Sequence, residues 1–485
     1  MAEKSFKQQL KTGFIYTALA RYSGILISIC VTAILSRLLP PEDFGVIAVA
    51  TVFIVFFSIF SDMGLSAAIV QKRDLTPLDL KSLYSYSIYL GIILSVIFFC
   101  LSWVISNTYG DKQLIPICQL LSFNVLFATW NIVPNGLLFR DKLFKFIGIR
   151  TIIIQLILAT VSIIAAYGGL GVYALLINPI GSSMLIYLLS YIKVPVGFTF
   201  RPDYGSIKKV AGYSGYTFGF SLINYFTRNL DKLLIGKIFG MVPLGYYEKS
   251  YRLMLLPVQN LTQVITPVLH PVLADFQDDV KQQSYKYIKL LEILALVGFP
   301  ISAFLYFSAE PLILLLFGSQ WIPSIGVFKI LSLSVGLQIT GSTTGAFLQA
   351  TNKTKQLFYL GTINTLVNVS GLLVGLFVIK SIEGVAWMWV LTMYIGLWNN
   401  WMIAKFIGIN IWGLFKPYKI TILPTLITIL ILSIFNLVFK FGLIIQLIIN
   451  GITTLVILLI FLRWFKIFDI LPFIEKKISF RGKHE

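Results

Sequence analysis

Apolar runs long enough to cross a bilayer recur from one end of this chain to the other. About 20 residues in an α-helix span the ~30 Å hydrocarbon core. Inside that core every backbone N–H and C=O needs a partner in the protein, which leaves helices and closed β-barrels as spanning structures. A barrel requires period-2 alternation of apolar and polar residues, and these runs show none. The chain therefore reads as an all-α polytopic membrane protein. Composition agrees: 57% of its 485 residues are hydrophobic and 12% are charged, against about a quarter charged in an average soluble chain.

Taken in order, a basic head, Met1 to Lys11, precedes a first span at about Thr12–Ser36. That span is too long for a signal segment and no small-residue cleavage site follows it, so retention is expected. Five more spans fall near Phe44–Phe60, Leu83–Ser106, Leu114–Phe139, Ile147–Tyr167 and Leu170–Ile192. The polar stretch 193–210 interrupts the pattern and reads as a cytoplasmic linker between a first lobe, 1–192, and a second, 211–407. The second lobe holds a hairpin, Tyr213–Leu256 continuing to about Val268, then spans near Leu290–Phe307, Ser324–Ala350, Gln356–Val378 and Gly384–Ile407. Between them His270 to Lys289 has the pattern of a short interfacial amphipathic helix. Two further helices occupy 408–465, at about Tyr418–Phe435 and Gly442–Phe461, before a tail at 466–485. The expected fold is about fourteen transmembrane helices, two six-helix lobes plus two. Pro134, Pro179, Pro257 and Pro300 lie inside spans, where each removes a backbone hydrogen bond and bends the helix.

Shifting the chain by 200 residues overlays Ile34–Gly45 on Leu234–Gly245, with Arg37 on Lys237 and Gly45 on Gly245. Each lies in a span–turn–span unit. Six spans is an even number, so the two units run the same way, a parallel repeat about the membrane normal. The halves differ in charge: Ala48 and Val49 correspond to Glu248 and Lys249.

The distribution of basic residues sets the topology. With the N-terminus inside, inward segments hold 28 of the 39 Lys and Arg, whereas outward loops hold only Arg37, Lys112, Lys237, Lys380 and Lys440. By the positive-inside rule both termini are cytoplasmic. The same asymmetry accounts for most of the net charge of +19, so no nucleic-acid partner is implied. Cys30, Cys100 and Cys118 are scattered in apolar segments, and His270 and His484 are far apart, so no disulfide framework or metal site is expected. No Gly-rich phosphate loop or nucleophile–base–acid set appears, and no cofactor is indicated.

The remaining basic residues lie within spans, and charge there costs roughly 2.5–3.5 kcal/mol per residue on insertion scales. Arg228, Asp231 and Lys232 share one helix face at i,i+3 and i,i+4, and Glu248 and Arg252 are i,i+4 on the other arm of the hairpin, beside Lys249. This cationic excess on one hairpin reads as the wall of an anion-accepting cavity; the other reading has some of these side chains snorkelling to the interface. Asp62, Asp231 and Glu248 are the acids available for Na+ or H+ coupling, or for pairing with neighbouring cations.

The segments SRLLPPEDFGVIAVATVF (36–53), SDMGLSAAIVQ (61–71) and NLDKLLIGKIFG…LGYY (229–247) resemble the Wzx-type flippases of polysaccharide and O-antigen precursors, within the multidrug/oligosaccharidyl-lipid/polysaccharide exporter superfamily. The resemblance covers essentially the whole chain. It implies fourteen helices, two lobes around a central cavity, alternating access, and a substrate assembled on undecaprenyl pyrophosphate. By position it makes Arg21, Arg37, Arg228, Lys232, Lys249 and Arg252 the cations expected to hold that substrate. A cation-coupled multidrug exporter of the same fold would favour an acidic cavity instead. A membrane enzyme would want a sizeable outer loop, and the longest here is about fifteen residues around Glu310–Pro323. The expected function is therefore flipping of a lipid-linked oligosaccharide across the cytoplasmic membrane, with no catalytic step.

Overall fold

The structure is a computed structural model, and it describes residues 2–72, 74–211, 214–274, 280–350, 354–407, 411–439 and 442–465. His484, Lys440 and the tail 466–485 lie outside the described residues. Among the described residues the regular structure is helical throughout. The chain forms two compact units, Met1–Gly245 and Tyr246–Glu485.

The first unit comprises α1 (Ala2–Leu38), α2 (Pro41–Asp62), α3 (Leu65–Gln71), α4 (Pro77–Tyr109), α5 (Leu114–Trp130), α6 (Ile132–Arg140), α7 (Phe144–Tyr167), α8 (Ala174–Lys193), α9 (Tyr204–Ala211) and α10 (Ser214–Phe239). Boundaries follow local chemistry. Helix α2 opens with Pro41 at its first position and Glu42 and Asp43 in its first turn, a residue with preset φ followed by charges that suit the positive end of the helix dipole. Helix α4 opens on a reciprocal capping box between Thr76 and Asp79, and stops at Gly110 in the left-handed region. The break between α5 and α6 falls at Asn131. Pro134 is its cause, since it cannot bond to the carbonyl of Trp130 and crowds it. With little hydrophobic drive between helices in lipid, small polar side chains join them. Ser61 and Thr129 pair at 2.7 Å, Ser95 donates to the Ser122 carbonyl at 2.9 Å, and Asn124 donates to the carbonyl of Pro179 at 2.6 Å.

Helix α11 (Met241–Ala274) begins in the first unit and continues into the second, where α12 (Val280–Phe307), α13 (Ala309–Leu316), α14 (Pro323–Ser332), α15 (Val335–Ala350), α16 (Thr354–Val374), α17 (Ile382–Ile395), α18 (Trp398–Ile407), α19 (Ile411–Val438) and α20 (Leu443–Trp464) follow. The segment His270–Lys289 is not a separate interfacial helix. Its ends are the last turn of α11 and the first turns of α12, with 275–279 outside the described residues. Helices α19 and α20 are fixed to α12 by amides: Asn436 and Asn450 both reach the Phe307 carbonyl, Asn450 donates to Ser308 Oγ at 3.1 Å, and Gln446 donates to Asn436 at 3.0 Å.

Among the described residues, ten helices are long and apolar enough to cross a membrane, and the α14–α15 pair, bent by 50°, makes an eleventh. The expected count of fourteen is therefore not reached by length and apolarity. Helices α10 and α11 lie outside that count, and the twelfth expected span is broken into α17 and α18 around Gly396. The α14–α15 bend occurs where Ser332 and Ser334 turn their hydroxyls back onto the carbonyls of Phe328 and Leu331, contacts that bend helices. Ser302 then accepts the Gly336 N–H at 2.8 Å.

Candidate functional site

In the first unit, α10 is bolted to α2 and α4. The Tyr225 hydroxyl donates to the Val52 carbonyl at 3.0 Å, the Tyr109 hydroxyl donates to the Leu233 carbonyl at 3.1 Å, and Lys237 reaches the carbonyl of Thr108. That framework positions the charged face. Asp231 is 3% exposed and accepts the Lys232 N–H at 2.8 Å; Lys232 is half-buried and Arg228 is exposed. Arg21 is half-buried on α1, and Arg37 is exposed in its last turn, where a cation meets the negative helix end. Asp62 is exposed and accepts the N–H of Ser66 at 3.2 Å, so it serves the start of α3.

Beside this face the backbones of α2 and α11 meet without side chains between them. A methyl added at Gly45 would lie 2.7 Å from the Met241 carbonyl carbon, and one at Gly245 would lie 3.0 Å from that of Pro41. Residue 45 thus meets 241 while residue 41 meets 245. The contact is reciprocal under the 200-residue shift.

In the second unit, Glu248 and Arg252 form the i,i+4 ion pair at 3.6 Å, with the Arg252 side chain exposed. Lys249 is 4% exposed, its ammonium 5.0 Å from the Phe317 ring and 5.2 Å from that of Trp321. Cation–π attraction of this kind is strongest when desolvated. The seat is held shut by Ser250, whose hydroxyl donates to the Ser324 carbonyl at 2.9 Å, and by Ser324, which donates to the Tyr246 carbonyl at 3.2 Å. Lys249 is thus enclosed among the rings of Phe317 and Trp321, while Arg252 is exposed.

Three buried charges escape a reading for site residues. Asp79 accepts from Lys209 through both oxygens at 2.9 Å and from Ser206 at 2.8 Å; the T-x-x-D spacing before an apolar run signals its capping role but not these distant partners. The Asp79 hydrogen bond raises the pKa of Lys209. Glu292 is buried on α12, 2.7 Å from Lys289 and 4.0 Å from Lys416. Arg150 is buried on α7 and donates to Ser190 and, at 3.4 Å, to Ile186 O and Asn135 Oδ1, with Phe146 beneath its guanidinium. Among the described residues no group of three or more His, Cys, Asp or Glu gathers that could hold a metal ion.

Residues 34–326 match the model of a family described as polysaccharide biosynthesis protein, more than half of the chain. The chain belongs to that family. Its relatives include the lipopolysaccharide biosynthesis protein WzxC of Escherichia coli, 26% identical over 76% of both chains. The teichuronic acid biosynthesis protein TuaB of Bacillus subtilis is 25% identical over 86% of this chain and 88% of its own. The succinoglycan biosynthesis transport protein ExoT of Rhizobium meliloti is 22% identical over 77% and 75%. In fold the chain is similar to the lipid II flippase MurJ in an inward closed conformation, with a TM-score of 0.72 over 94% of this chain and all of that one at 16% identity. An inward-facing multidrug transporter of the MATE family, in the MOP superfamily, follows at 0.62 over 81% and 98%, also 16% identical. The resemblance to Wzx-type flippases read from the sequence is borne out, and the polysaccharide biosynthesis family member is a multi-pass membrane protein with the fold of those transporters.

Proposed function

We propose that this family member flips undecaprenyl-pyrophosphate-linked oligosaccharide units across the cytoplasmic membrane by alternating access, with both termini in the cytoplasm. The observation that carries the reading is the cationic excess of α10 and α11 in a chain of this family. On the hairpin Arg228, Lys232, Lys249 and Arg252 outnumber the acids Asp231 and Glu248, and Arg21 and Arg37 on α1 complete the six cations of the proposed site. A pyrophosphate cannot cross ~30 Å of hydrocarbon unaided. Arg and Lys supply charge-assisted hydrogen bonds to phosphate oxygens, and Arg adds a bidentate fork. Among these six, Arg228 and Arg252 are the exposed hairpin cations and come first; Lys249 meets substrate only when the Phe317–Trp321 seat opens. The polyprenyl tail stays in lipid. A potential negative inside favours outward movement of an anion by ~2.3 kcal/mol per charge per 100 mV, whether or not a Na+ or H+ gradient adds to it. No covalent chemistry is required.

The test is the lipid-linked pool in cells lacking the protein. Undecaprenyl-linked glycan should accumulate on the inner leaflet and return to normal on complementation, but not with an Arg228→Ala/Arg252→Ala double variant that inserts normally. An unchanged glycan pool together with lost efflux of cationic drugs would replace this reading with that of a multidrug exporter, whose fold the chain shares. Tags at 193–210 and near Asp111 check the topology: the first should report cytoplasm and the second the outside.

A further inference from the structure

The stretch between α8 and α9 is not a loose linker. It is tied down along one stripe of α4. Ser85 accepts the N–H of Thr199 at 2.8 Å, and Ser82 accepts that of Asp203 at 3.2 Å. The hydroxyls of Tyr86 and Tyr89 donate to the carbonyls of Pro202 and Phe200 at 3.4 and 3.2 Å. Below them Asp79 holds Ser206 and Lys209. Positions 79, 82, 86 and 89 repeat at three and four residues, one face of a helix.

This strap has a defined depth. Helix α4 has 33 residues, about 50 Å at 1.5 Å per residue, whereas the hydrocarbon core takes up about 20. Its second part, 90–109, is apolar and shows lipid-facing Ile92, Ile93, Val96 and Ile97; its first part, 77–89, is rich in Ser, Tyr and charge. Tyr89 therefore stands at the inner edge of the core, with Asp79 ~15 Å below it. The strap is graded to match. Level with Tyr89 are Phe198, ring on edge to it at 5.9 Å, and Phe200, ring on edge to Phe198 at 5.0 Å. Phe200 is 85% exposed and Tyr204 72% exposed, although the strap's backbone is fixed. Arg201 follows Phe200, and exposed Lys193 and Lys208 flank the strap, while the stem of Lys81 lies over Gly197.

We propose that residues 196–204 form an interfacial anchor seated in the cytoplasmic leaflet, with Phe198 and Phe200 at the acyl–headgroup boundary and Arg201, Lys193 and Lys208 on the phosphates of anionic phospholipids. Aromatic rings concentrate at that depth, and basic residues beside it bind anionic headgroups. The order of apolar rings first and cations next, reading outward from the core, is that of a lipid interface. A protein partner in the cytosol has no need of that gradient. The anchor rests on the proposed inside placement of 193–210, which the tags above report separately; the depth measurement below does not depend on which leaflet is involved.

The experiment uses the full chain with Phe200→Trp, reconstituted in vesicles of phosphatidylcholine with or without phosphatidylglycerol, and reads the difference spectrum against the parent. The added tryptophan should emit to the blue of a water-exposed indole, be quenched by lipids brominated near the carbonyl end of the acyl chain, and resist aqueous iodide. Red emission quenched by iodide and untouched by brominated lipid overturns the anchor and leaves the rings free for a soluble partner. A second arm counts phosphatidylglycerol against phosphatidylcholine retained on detergent-purified protein. Replacing Arg201, Lys193 and Lys208 by Gln should lower the preference about five-fold per cation, from about 1 kcal/mol per basic residue near an anionic surface. An unchanged preference overturns the headgroup contacts.

Discussion

The reciprocal backbone contact makes Gly45→Ala the sharpest test of the packing described above. The added methyl would lie 2.7 Å from the carbonyl carbon of Met241 and nearer still to its oxygen, whereas ordinary contact begins at 3.4 Å. The obstacle is backbone, so no rotamer change relieves it, and the first turns of α2 and α11 must separate by about 0.7 Å or more. Overpacking of this kind costs ~1–3 kcal/mol, and a rigid neighbour puts it near 3. Alanine returns about 1 kcal/mol of helix propensity, which leaves about 2 kcal/mol against the packed arrangement. That is roughly a 30-fold shift toward arrangements in which these turns are apart. Spin labels at Glu42 and Val242, both exposed beside the contact, read the shift as a second, longer distance in a pulsed dipolar measurement. Gly361→Ala is the control, because nothing lies within 4 Å of the methyl it would add; it should leave the distances alone and raise thermal stability slightly. If Gly45→Ala behaves like Gly361→Ala, the contact carries no energy and the reasoning is wrong.

Three further outcomes are expected. Asp79→Ala should release the strap, at a cost of ~1–3 kcal/mol for the buried donors left without acceptors. Lys209→Gln should cost much less, because that ammonium is half in solvent and its ion pair is screened; rates of protease cleavage within 194–204 distinguish the two. Asp231→Asn should lower stability in detergent by a few kcal/mol if the carboxylate balances neighbouring cations, and Lys232→Gln should recover part of it. A stable Asp231→Asn protein that fails to transport, with or without Lys232→Gln, would assign Asp231 to ion coupling instead. Lys249→Met should keep the ring seat filled and impair transport in a complementation assay less than Arg252→Gln does, with insertion unchanged in both; the reverse ranking would move the first anion contact to Lys249.

Much of this architecture was legible in the linear chain because it depends on mean apolarity and length. The six spans of the first unit fall close to where hydropathy places them, from Thr12–Ser36 to Leu170–Ile192. The repeat shift also puts Gly45 and Gly245 in register before any contact is seen. What was not legible depends on partners distant in sequence. Lys249 reads as a cavity cation until Phe317 and Trp321, about seventy residues on, close over it. The linker reads as polar filler until α4 supplies acceptors and donors a hundred residues earlier. The α14–α15 bend is invisible to hydropathy, since serine back-bonding changes direction without changing apolarity. The charged hairpin was legible as unusual, because Arg228, Asp231, Lys232, Glu248, Lys249 and Arg252 interrupt its apolar runs.

The meeting of 45 with 241 and of 41 with 245 also bears on how such a chain arose. Two identical half-length chains packed about a two-fold axis would make this contact twice, each residue of the pair supplied once by each copy, as any isologous interface requires. Fusing the two copies keeps both contacts in a single polypeptide. Because the contact is made by backbone, it needs only a small residue at one position in each half and reads nothing else of the sequence. The flanking side chains are free to differ, and one half carries Ala48 and Val49 where the other carries Glu248 and Lys249. A chain held together in this way can specialise one half for charge while the backbone contact between the repeats stays as it is.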